Sequence, residues 1–104
     1  MAFKFTHEGI AMRVQVQSLW ARVLGKDATT IMNTAFFAKG QATVSGYLLA
    51  HEYFHVRRWK EKGFFGFLKW YATSHEQEER EAHLYGLDNA MRFDAYAKTI
   101  RNNR

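Results

Sequence analysis

Residues 47–59 read YLLAHEYFHVRRW, a run with no proline and only apolar or helix-tolerant residues, so it predicts a helix. At its centre, His51-Glu52-Tyr53-Phe54-His55 is a complete HExxH pentad. Residues four apart share a helix face, so His51 and His55 can turn two imidazole nitrogens toward one Zn²⁺. Glu52 is rotated by about 100° from His51, which sets it beside the metal, where a carboxylate can take a proton from a bound water. The plainer alternative is a buried helix whose histidines make ordinary hydrogen bonds.

Downstream of the pentad, Gly63 is placed to end this helix, and Lys60 and Lys62 in the last turn suit the helix dipole. Upstream, Thr43 precedes the apolar run, and the face through Val44, Leu48, His51 and His55 is mostly apolar. Residues 28–38, ATTIMNTAFFA, are β-branched and aromatic and predict one strand or two short ones. Residues 10–24 place Met12, Val16, Leu19 and Val23 at helical spacing, and a first helix is expected there. The competing reading is a strand over residues 12–17, where apolar and polar residues alternate; Trp20 and Leu24 extend the helical stripe and favour the helix. After Gly63, GFFGFLKWYATSH (63–75) is a short helix or packed loop whose aromatics cover the core. Its functional alternative is an interfacial anchor flanked by Arg57, Arg58, Lys60, Lys62 and Lys69, a form of peripheral membrane contact. Ser74 with Gln77 forms a capping-box pattern, and a last helix is expected over about 75–101. These elements describe a single α+β domain over residues 1–104, mainly helical.

The 104 residues are 47% hydrophobic and 24% charged, as in globular chains, and contain no cysteine. Disulfides and thiolate zinc ligands are excluded, so any metal must use His and carboxylate. Neither a signal peptide nor a transmembrane span is expected, which makes the cytoplasm the default location. The net charge of +5 allows nucleic acid, anionic lipid or an acidic partner without choosing among them.

A catalytic zinc site needs a third protein ligand. In the pattern HExxHxxGxxH the glycine lets the chain turn back; here Arg58 holds that place, and Glu61 would lie about 240° round an unbroken helix from His55. That spacing is rejected. The cluster HEQEEREAH (75–83) offers Glu76, Glu78, Glu79 and Glu81. Glu79 shares its helix face with Ala82, His83, Gly86, Ala90, Phe93 and Ala97, small or apolar residues that allow close approach. Glu81 shares a wetter face with Tyr85, Asp88 and Arg92. Glu79 is therefore the preferred third ligand, with capping and solvation left to the other glutamates. A carboxylate-bridged di-metal site in a helical bundle would need a second Glu-x-x-His pair, which is absent.

AHEYFHVRRW, GFFGFLKWY and EREAH together resemble the compact gluzincin-type zinc metallopeptidases, in which HExxH on one helix is joined by a Glu of an ExxA-type motif on the next. The resemblance covers roughly residues 28–90 and rests on motifs of this kind. It implies a minimal zincin-like domain, with a strand or hairpin beside the HExxH helix and a following ligand-bearing helix. It implies His51, His55 and Glu79 as zinc ligands, Glu52 as general base, and a strand near residues 31–38 that borders the cleft and aligns extended peptide. Where larger relatives carry an Asp after the motif's alanine, this chain has His83, which leaves a supporting donor, an extra ligand or a site without turnover as its readings. The expected activity is hydrolysis of a peptide or protein substrate, with His83, Tyr85, His75 and Tyr71 as candidate oxyanion donors. The rival is a non-catalytic, metal-stabilised basic module that binds nucleic acid or a protein partner through Arg57, Arg58, Lys60 and Lys62.

Overall fold

The structure is a computed structural model that describes residues 2–102. Four strands, β1 (Ala2–His7), β2 (Ile10–Gln15), β3 (Ala28–Ile31) and β4 (Thr34–Phe37), form one sheet in the order β1-β2-β4-β3. A short helix, α1 (Leu19–Val23), lies between β2 and β3, and a 3₁₀ turn (Gln41–Thr43) leads into α2 (Gly46–Asn102). The backbone of α2 leaves helical geometry at Gly63 (φ 74°, ψ 173°) and Ser74 (φ −140°, ψ 30°). Three segments result: 46–62, 64–73 and 75–102. The α+β class is as expected, and so are the end of the pentad helix at Gly63 and the separate last helix.

The helix expected over residues 10–24 is not formed. Met12, Val14 and Val16 are buried while Arg13, Gln15 and Gln17 are exposed, the period of a strand with one covered face. β2 pairs antiparallel with β1, placing Phe3 opposite Val14 and Phe5 opposite Met12. Its other edge pairs parallel with β4, Val14 opposite Ala35, so both edges are satisfied and the strand outcompetes local helix propensity. Only residues 19–23 keep the helical part of the stripe, starting at Ser18, whose Oγ accepts from the Ala21 backbone N–H at 3.5 Å. The 28–38 stretch forms two strands, turned at Met32 (φ 56°) and paired antiparallel with Thr30 opposite Ala35.

One sheet face packs beneath α2. Met12, Val14, Ala35 and Phe37 meet Leu49, Tyr53 and Val56 of the first segment and Phe93, Ala97 and Ile100 of the last. Each fully buried Met12, Phe37 or Phe93 stabilises the fold by about 1.5–3 kcal/mol relative to exposure. The two long segments approach closely because small residues face each other. A Cβ on Gly46 would strike the Ala90 carbonyl, and one on Gly86 would come within 2.8 Å of the Tyr47 ring. This packing lays residues 78–83 across the pentad.

Candidate metal centre

His51 and Glu52 are neighbours on the first segment, with His55 one turn on, and the three can offer one ligand atom each within 4.8 Å of one another. Glu79, from the last segment, faces the same point. Its Oε1 is 3.2 Å from His51 Nε2 and its Oε2 is 3.3 Å from His55 Nε2. Each is a direct contact of one imidazole with one carboxylate oxygen, at a length close to the roughly 3.4 Å that separates two ligand atoms bound about 2.1 Å from a tetrahedral zinc. Glu52 Oε2 is farther from His51 Nε2, at 3.8 Å.

The other side of each imidazole is also engaged. His55 Nδ1 lies 2.8 Å from Glu78 Oε2, and Glu78 Oε1 accepts from Arg58 Nε and Trp70 Nε1, both at 2.9 Å. Glu78 has no exposed surface, so its charge is compensated wholly inside the protein. His51 Nδ1 is 3.4 Å from the Tyr47 hydroxyl, which is itself 2.6 Å from His83 Nδ1. Thus both Nε2 atoms point to Glu79 while both Nδ1 atoms have partners that fix ring orientation, the arrangement typical of metal-ligating histidines. Thr30 Oγ1 donates to Glu52 Oε1 at 2.8 Å, and the Tyr71 hydroxyl donates to Glu79 Oε2 at 3.1 Å.

Burial disfavours a charged His55, but hydrogen bonds to Glu78 and Glu79 outweigh it and raise its pKa to about 9. Burial raises both carboxylates; imidazole hydrogen bonds, from His55 to Glu78 and from His51 and His55 to Glu79, outweigh it and leave each below its ordinary value. Burial first, then the Glu79 charge, raises the Tyr71 phenol to about 12, so it remains a donor at neutral pH.

A cleft of about 730 Å³ opens over these groups, with Ala28, Thr29 and Thr30 of β3 on one wall and Tyr71 and Glu79 on the other. The strand bordering it is therefore β3 rather than the expected 31–38 stretch: β4 lies between β2 and β3 with both edges paired. Glu61 is exposed and pairs with Arg57 at 3.9 Å, away from the cleft, as its helical angle requires. Glu81 accepts from Arg58 Nη2 at 2.8 Å, and Glu76 is exposed. Tyr85 is not at the centre. It stacks on Tyr53 and lies under the Arg57 guanidinium, because its angle on the last segment points it to the aromatic core. His83 reaches the site only through Tyr47, and exposed His75 only touches the Tyr71 ring.

Sequence reasoning missed Glu78, Tyr47 and Thr30. The signal for Glu78 was present: stepping back from Phe93 through Gly86 and Ala82 at helical intervals reaches residue 78, and these four are buried. The small-residue stripe is centred there, with Glu79 on its rim and His83 outside it. Nothing local marks Thr30, which meets Glu52 through the sheet. Comparison with known proteins yields no match: no family model fits the chain, and no curated protein or solved structure is significantly similar to it.

Proposed function

We propose that this protein is a zinc-dependent metallopeptidase of the gluzincin type, carried on an α+β fold of a four-stranded sheet and a kinked helix rather than on the expected minimal zincin-like domain. The observation that carries this reading is the convergence of His51 Nε2, His55 Nε2 and the Glu79 carboxylate at tetrahedral-ligand spacing, with Glu52 alongside, in an open cleft. Bound there, Zn²⁺ would supply Lewis acidity that polarises the scissile carbonyl and lowers the pKa of water toward about 7. Glu52, held at Oε1 by Thr30, keeps Oε2 on the metal side as proton acceptor. It takes a proton as the water oxygen attacks the carbonyl carbon, then returns it to the amine as the C–N bond breaks. Glu78 and Tyr47 hold the ligand rings in orientation. The Tyr71 O–H, which donates to Glu79 Oε2 at 3.1 Å and lines the cleft, is the donor assigned to stabilise the carbonyl oxygen. β3 is an edge strand along the cleft, so its unpaired backbone groups can receive an extended peptide.

The basic-module rival loses ground because three of its four cations are engaged. Arg58 binds Glu78 and Glu81, Arg57 lies over Phe54 and Tyr85, and Lys62 lies over Trp70. The di-metal reading lacks its helical bundle, since a four-stranded sheet forms half the core.

Protein purified without added metal is expected to hold about one zinc per chain, the count of a mononuclear site. Glu79→Ala should lose it while Glu81→Ala retains it; the reverse would move the ligand. Glu52→Gln should keep zinc and lower peptide cleavage by about 10²–10⁴-fold, and undiminished cleavage would overturn its role as base.

A further inference from the structure

Among the described residues, exposed large apolar side chains fall in four places, the smallest being Ile31 and Met32 at the β3–β4 turn, and the other three form patches. Helix α1 turns Leu19, Trp20, Val23 and Leu24 outward, with Leu19 73% and Trp20 66% exposed, so its apolar face points to solvent. The segment 64–73 exposes Phe64, Phe65 and Leu68, with Phe65 at 82%. The last segment exposes Leu84, Leu87 and Met91. The first two border the same cleft: Leu24 and Leu68 both line it.

Charge separates these patches. Residues 10–51, which include α1, contain four basic residues and one acidic, and residues 53–75 contain five and one. Lys26 and Lys60, beside the two apolar elements, and Lys69, within the second, have no ion-pair partner among the described residues. The third patch sits on the segment that carries six of the ten acidic residues. Exposed Trp, Phe and Leu on elements that carry or adjoin Lys26, Lys60 and Lys69, with Asp27 the acidic neighbour, match the headgroup region of an anionic bilayer, where apolar side chains enter the acyl boundary and cations meet lipid phosphates. No helix among the described residues is long and apolar enough to cross a membrane, so the contact is peripheral.

We infer that α1 and the segment 64–73 together dock on an anionic phospholipid surface. Leu24, Lys26 and Leu68 then bring the cleft mouth to headgroup level. If the peptidase reading holds, on which this corollary alone rests, the substrates are polypeptide segments close to the bilayer.

The test is co-sedimentation of the full chain with vesicles of phosphatidylcholine alone or mixed with phosphatidylserine, which needs no catalytic activity. The wild type should bind the mixed vesicles at least about tenfold more tightly and release them as salt rises. The double variant Trp20→Ser/Phe65→Ser alters only exposed side chains and should bind about tenfold more weakly, with an unchanged circular dichroism spectrum. Lys26→Glu/Lys60→Glu/Lys69→Glu should abolish the phosphatidylserine preference. Equal partition to both vesicles, or variants that bind as the wild type does, would overturn the proposal. So would a wild-type dimer in light scattering that Trp20→Ser/Phe65→Ser makes monomeric, since the patch would then be covered by a second copy. Loss of vesicle binding with zinc retained would sink this inference alone; loss of zinc and cleavage would sink only the peptidase reading.

Discussion

Glu78 and Glu79 are neighbours with opposite surroundings, and their difference sets the chemistry of the site. Glu79 is 41% exposed and faces both Nε2 atoms, whereas Glu78 is wholly buried and receives donors from each of the first two helical segments. Removing the Glu78 carboxylate strands His55, Arg58 and Trp70 together. Glu78→Ala should destabilise the protein by about 3–5 kcal/mol in urea unfolding, as expected for breaking a buried ion pair. Glu78→Gln preserves size and should weaken zinc binding by about 10–100-fold in chelator competition. Unchanged zinc affinity would show that His55 does not depend on this partner. The HExxH spacing was legible because helical geometry alone relates its residues. Glu78 was readable in the small-residue stripe, but its charge argued for a capping role; burial reverses that argument only because Arg58 and Trp70 arrive from elsewhere in the fold.

At the scale of elements, the spacing between the two long segments of α2 is set by glycine. Gly46→Ala should cost most, because the new Cβ meets the Ala90 backbone carbonyl, which cannot move without the helix. Gly86→Ala meets the Tyr47 ring at 2.8 and 2.9 Å and, less closely, the Tyr47 backbone carbonyl at 3.2 Å, and should cost about 1–3 kcal/mol. It should also displace the Tyr47 hydroxyl from His51 and His83, detectable as a changed His51 imidazole NMR signal. Gly63→Ala has open space around it, but φ 74° with ψ 173° is a conformation essentially confined to glycine, so the backbone strain costs about 1–3 kcal/mol. Chemical denaturation that ranked Gly63→Ala above Gly46→Ala would contradict this packing. The break at Gly63 and the split of residues 28–38 could be read locally, since each depends on a turn and its flanking pattern. The helix expected over residues 10–24 could not be corrected locally: its 3.6 and 2.0 periods overlap, and pairing with β1 and β4 decided between them.

Across the whole molecule, the site couples stability to protons and metal. In the metal-free chain His55 has its pKa raised from 6.5 to about 9, so its contribution is full below pH 6.5 and is lost as pH rises through about 9. Glu78 and Glu79 are lowered from 4.5, so theirs is present above that pH and is lost in acid. Chelator-treated protein should therefore melt at a higher temperature at pH 6 than at pH 9.5, while zinc stabilises it increasingly toward pH 9 as His55 gives up its proton. A metal-free melting temperature that is flat or rises over that interval would remove the His55 cluster as the cause.

The amino-acid sequence by itself determined the α+β class, the pentad helix and its end at Gly63, and a following helix with small residues on one face. These follow from the local geometry of a few consecutive turns. The tertiary structure alone decided that residues 10–15 form a strand, that β3 borders the cleft and holds Glu52 through Thr30, and that Glu78 lies inside while Glu79 meets the histidines. Each joins residues about 20 or more positions apart, or chooses between two periods that one stretch satisfies equally. Periodicity records which side chains share a face; only the packed chain settles what that face meets.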